Sequence, residues 1–235
     1  MIHIKIFDDY VNEGRSRYDG LVSKLTRIIF KEWVDGFADG LTVIGYDDLI
    51  LDGGLEFEIL ASLHIDSKYG DLKIMDTTGV DARDVDDEGD EQTPYIVIDF
   101  AIDPKLLPFE WSNIYYNLAD VIRHEMEHIT QDGVGVGNYR AGKPSIDDSE
   151  IRGFIESGLL PKSRYMTLPK EVDANLQGFR YVAKKRRIPM IDVINSYLDM
   201  HEKDGIIDGN EREEILGVWK SRAKKIGGFP DLDKV

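Results

Sequence analysis

Two of the five histidines in this 235-residue chain lie four positions apart, with a glutamate directly after the first: His124-Glu125-Met126-Glu127-His128. Residues four apart share one face of an α-helix, so both imidazoles could reach a single metal ion. Glu125 could then act as general base on a water bound to that metal. The spacing suits this chemistry only on a helix. Trp111, Ile114, Tyr115, Leu118, Ile122 and Ile129 recur at three, four and seven, the stripe of an amphipathic helix. Pro108 precedes it and Gly133 follows it, which predicts a helix over about 110–131.

Within that helix Glu125 falls in line with Leu118, Ile122 and Ile129. A carboxylate in an apolar stripe is costly to bury unless it is paired or does chemistry. His124 and His128 share one flank of the stripe. Asp120, Arg123 and Glu127 are expected on the opposite, wetter face. Glu125 is therefore the unusual residue and Glu127 the ordinary one. A surface helix that merely carries two histidines leaves a buried Glu125 unexplained. A purely structural zinc site normally uses cysteine, and the chain has none.

A hydrolytic zinc commonly takes three protein ligands and one water. No third histidine follows closely, since Gln131 and Val134 occupy the positions where a glycine and a histidine would extend the motif. The leading candidate is Glu171, and Asp173 is the second. Thr167 is expected to cap the helix that carries them, with Pro169 in its first turn. Val172, Leu176, Phe179 and Ala183 form its apolar stripe. Glu171 lies at the edge of that stripe with Asn175 one turn on, suited to orient a ligating histidine, whereas Asp173 faces a more polar side. A helix dipole also favours acids in a first turn, so Glu171 has an ordinary explanation as well.

With these residues the chain resembles the zincin metallopeptidases, and within them the gluzincins, whose two histidines and glutamate are followed by a further glutamate on a later helix. The matching residues are His124, Glu125, His128 and Glu171, the last lying 43 positions beyond His128. The resemblance covers roughly residues 94–186. It implies one zinc ion held by His124, His128 and Glu171, Glu125 as the catalytic residue, and hydrolysis of peptide bonds in a peptide or protein substrate. It further implies an antiparallel sheet beside the motif helix, with 95–102 as its edge strand. Asn175 departs from the aspartate many gluzincins carry. No motif marks the oxyanion-stabilising residue, for which Tyr139, Tyr165 and His201 are the candidates. The stretch 171–180 also resembles peptidases encoded in tailed-phage genomes.

The elements that must hold these residues are legible from patterning. A helix is expected over 15–37, where Leu21, Leu25, Ile28, Ile29 and Trp33 keep helical spacing. Strands are expected near 41–46, 55–65, 72–75 and 94–102, and the N-terminal nine residues also read as a strand. Two helices are expected over 189–226. The fold class is thus α+β: a small antiparallel or mixed sheet packed on the motif helix, zincin-like as the resemblance implies, with a mainly helical C-terminal part. One domain with two lobes, 1–131 and 132–235, fits the length. The intervening region 132–164 is rich in Gly, Pro and Ser, and part of it could form a flap over the cleft. Within it, 137–143 approaches a phosphate-binding loop, but Pro144 stands where Ser or Thr is required. The acidic run 81–93 reads as a solvated loop, and 204–209 fails as a calcium loop because Ile206 and Ile215 occupy ligand positions.

Composition bounds the partners. With 29 basic and 45 acidic residues the formal charge is −16, which disfavours broad nucleic-acid or membrane-surface binding. The basic run Lys184-Lys185-Arg186-Arg187 complements the C-terminal end of its helix. No apolar run is long enough to cross a membrane, no signal-peptide pattern opens the chain, and the absence of cysteine fits a reducing compartment. The expected location is the cytoplasm, or a virion if the chain is phage-encoded. The main alternative to a peptidase is a catalytically inactive zincin-fold protein that associates with a virion or another protein assembly. Charge alone would also suit an acidic inhibitor of a basic protein.

Overall fold

The computed structural model describes residues 18–50, 56–78, 95–130, 146–226 and 232. The strand expected over 1–9, the acidic run 81–93, Gly133, the 137–143 segment and Tyr139 lie outside the described residues. The fold is α+β with a small mixed sheet and several helices. The chain divides into two compact units, Met1–Gly142 and Lys143–Val235.

The first unit runs α1 (Asp19–Asp35), β1 (Leu41–Ile50), β2 (Glu56–Ile65), β3 (Lys73–Thr78), β4 (Tyr95–Ile102) and α2 (Trp111–Thr130). The four strands form one sheet in the order β1-β2-β4-β3. β1 and β2 are antiparallel, β2 and β4 parallel, and β3 and β4 antiparallel. Period-two patterning explains which face is covered. Phe57, Ile59, Ala61 and Leu63 of β2 are buried, as are Ile96, Ile98, Phe100 and Ile102 of β4, while Glu56, Glu58 and Leu60 are exposed. The buried stripe of α1, from Leu21 through Leu25 and Ile29 to Trp33, packs into the same core, with Trp33 5.4 Å from the Phe100 ring. Phe30 meets Trp111 and Tyr115 edge-on at 5.7 and 5.2 Å, so α1 fixes the first turns of α2.

Two expectations about the sheet need correction. The strand expected near 41–46 continues to Ile50 past a register shift between Tyr46 and Leu49. The strand at 95–102 is not an edge strand: β4 lies between β2 and β3, and β3 forms that edge.

The second unit is helical throughout its described residues: α3 (Ile146–Glu156), a 3-10 segment (Lys162–Thr167), α4 (Pro169–Arg186), α5 (Met190–Lys203) and α6 (Gly209–Ile226). The sequence pattern missed α3, which occupies part of the region read as a flap. An aromatic cluster of Phe179, Tyr197 and Trp219 joins α4, α5 and α6 with ring centroids 5.1 to 6.0 Å apart. Trp219 donates its indole N–H to the Met166 carbonyl at 2.7 Å, satisfying the one polar atom of a fully buried ring. α4 stops where Arg187 turns left-handed at φ 56°, two residues before Pro189. The segment that resembled a calcium loop is a helix connection instead: Asp208 accepts from the Asn210 and Glu211 amides and starts α6.

Candidate metal centre

In the first unit, α2 delivers both histidines to one place. The Nε2 atoms of His124 and His128 lie 3.0 Å apart, and the ring centroids 4.7 Å apart at a steep angle. Two imidazoles on one tetrahedral zinc, each at about 2.0–2.1 Å, would hold their nitrogens about 3.3 Å apart. The pair therefore has nearly the bite a metal needs. The same approach also permits one ring nitrogen to donate to the other.

Glu125 is 3 % exposed, in line with the fully buried Leu118 and Ile122. Its Oε1 is 3.9 Å from His124 Nε2, beyond hydrogen-bond distance. A buried carboxylate one residue from a convergent imidazole pair is the arrangement a general base beside a metal requires.

The rest of α2 differs from the sequence expectation. Arg123 is not on a wet face but 1 % exposed. Its guanidinium lies 3.0 Å from Glu127 and 3.7 Å from Asp19, and 5.9 Å from the Tyr18 ring centroid. The start of α1 covers this side of α2, so the three charges are buried or half-buried. Asp120 is half-buried as well, with Oδ1 fully enclosed and lacking a hydrogen-bond partner. Burial pushes its carboxyl up to about 7, against a smaller opposing pull from His124.

In the second unit, Glu171 occupies the third position of α4 and is 1 % exposed. Pro169 takes the first position as expected, but Thr167 does not cap the helix. Leu168 is the cap residue, and the Thr167 hydroxyl donates to the Arg164 carbonyl at 2.9 Å. The Glu171 carboxylate accepts from Arg152 Nη2 of α3 at 2.5 Å. Asp173 belongs to a different interaction: both its oxygens accept from Arg222 of α6, at 2.7 and 2.5 Å. That bidentate clamp ties α4 to α6 and occupies the second-choice ligand. Asn175 is buried one turn beyond Glu171.

Of the three oxyanion candidates, Tyr139 lies outside the described residues. Tyr165 is 39 % exposed, its ring 5.1 Å from the Arg152 guanidinium carbon. His201 Nδ1 lies 2.9 Å from the Tyr197 carbonyl oxygen, and its ring is 4.2 Å from that of Tyr197, contacts that anchor α5 locally. Sequence reasoning missed Arg152 altogether. A lone arginine in an unrecognised helix carries no local signal, and its partner lies 19 residues away. Among the described residues no helix is long and apolar enough to cross a membrane. No protein family, curated protein or solved structure matches this chain.

Proposed function

We propose that this chain is a zinc-dependent metallopeptidase of gluzincin type, in which His124, His128 and Glu171 hold one zinc ion and Glu125 is the catalytic base. The observation that carries this reading is the pair of Nε2 atoms 3.0 Å apart on α2 with a buried carboxylate directly beside them. The donor chemistry suits zinc: two neutral imidazoles and one carboxylate, with no thiolate in the chain. When bound, zinc would supply Lewis acidity, acidifying a water and polarising the scissile carbonyl. Glu125 takes a proton from the attacking water, whose oxygen bonds to the carbonyl carbon. As the C–N bond breaks, Glu125 delivers that proton to the leaving amine.

The competing reading is an inactive zincin-fold protein with a structural or interaction role, as in a virion or another assembly. It is favoured by the Arg152–Glu171 pair, which balances the charge of the carboxylate without a metal. Cleavage of denatured protein substrates separates the two. The peptidase reading expects chelator-sensitive, zinc-restored cleavage that disappears in Glu125→Gln while bound zinc is kept. Full activity in Glu125→Gln would sink the mechanism.

A further inference from the structure

Glu171 is nearly inaccessible, whereas Arg152 is not: its side chain is 40 % exposed. The guanidinium engages Oε1 of Glu171 at 2.5 Å and lies over the Tyr165 ring at 5.1 Å. Its Nε is buried and makes no hydrogen bond. One end of this arginine is thus committed to a single carboxylate oxygen, and an aromatic face limits how the guanidinium can turn. A carboxylate bonded in this way to a fixed guanidinium has lost rotational freedom. Ligating carboxylates are characteristically hydrogen-bonded in this way, and losing such a partner costs about 10–100-fold in metal affinity.

We infer that Arg152 is a positioning residue for the metal: it fixes the orientation of the Glu171 carboxylate through Oε1, and Tyr165 supports the guanidinium. This rests on the zinc reading above.

The test is zinc titration of the full-length chain in competition with a chromogenic chelator, with far-UV circular dichroism to confirm folding. Arg152→Met is expected to weaken zinc binding about 10–100-fold, and Arg152→Lys by a smaller factor because one donor survives. In a Glu171→Gln background, Arg152→Met is expected to cause no further loss, since the two side chains act as one unit. A merely structural arginine would not show that coupling. Zinc affinity in Arg152→Met equal to or above that of the wild type overturns the inference while leaving the zinc site standing. Absence of zinc binding in the wild type overturns both. Should Arg152→Met fail to fold, Arg152→Lys carries the test, and an unchanged affinity in that variant overturns the inference.

Discussion

The proposed ligands come from two settings that solve the same problem in opposite ways. On α2, two imidazoles face each other at 3.0 Å in a half-buried position. On α4, Glu171 is almost fully buried and bonded to the Arg152 cation. Neutral imidazole can wait for a metal at little electrostatic cost, because it carries no charge to desolvate. A buried carboxylate cannot wait alone, since its charge must be balanced before any ion arrives. The charged donor of α4 therefore takes a counter-ion from another helix, Arg152 of α3. The same rule accounts for Arg123, which is buried only together with Glu127 and Asp19.

The comparison can be broken most sharply at the histidines. His128→Ala is expected to reduce zinc affinity by at least about 100-fold, more than any supporting residue. Equilibrium dialysis with elemental analysis reads this directly, and a smaller loss than in Arg152→Met would reverse the ranking of ligand and support. Next comes Arg123→Met, which strands two acids under the start of α1. Urea unfolding is expected to show a loss of about 3 kcal/mol, because removing one partner of a buried pair leaves charge uncompensated. A change below about 1 kcal/mol would mean the network is solvated in solution.

Asp173→Asn sharpens the contrast between the two acids of α4. It loses part of the clamp to Arg222, for an expected cost of about 1–2 kcal/mol at this half-buried position. Zinc stoichiometry is expected to be unchanged, so loss of the ion in this variant would transfer the ligand role from Glu171 to Asp173.

A further effect, confined to higher pH, concerns Asp120, whose folded-state carboxyl is raised from 3.8 to about 7. Between these values the unfolded chain has released the proton that the folded chain keeps. Stability contributed by this group is complete below about pH 4 and is lost as pH rises toward 7. Asp120→Asn removes that slope, and in chelator-treated protein it is expected to gain about 2 kcal/mol over the wild type at pH 8. Thermal denaturation across pH 4–8 checks this, and parallel curves for the two proteins would contradict it.

Local patterning carried much of the architecture. The α2 stripe located its helix to within a residue at each end, and alternation located β2 and β4. It also placed Glu125 among buried apolar residues. What it could not supply were choices made between distant elements. Arg123 looks solvent-facing from α2 alone, and only the start of α1 buries it. Strand 95–102 is interior because β3 pairs on its far side, a matter of sheet order rather than composition. Glu171 and Asp173 are distinguished by which arginine each meets, one 19 and the other 49 residues away. Thr167 has the right type for a cap, but its hydroxyl turns back to Arg164 within the 3-10 segment.

The central claim is that the two histidines of α2 belong to a metal site. Elemental analysis of untagged protein purified without chelator, then equilibrated with zinc at neutral pH, tests it most directly. About one zinc per chain is expected in the wild type, with a marked loss in His124→Ala. A wild-type protein that stays metal-free after zinc is supplied would contradict it, and the imidazole pair would then be a hydrogen-bonded contact within α2.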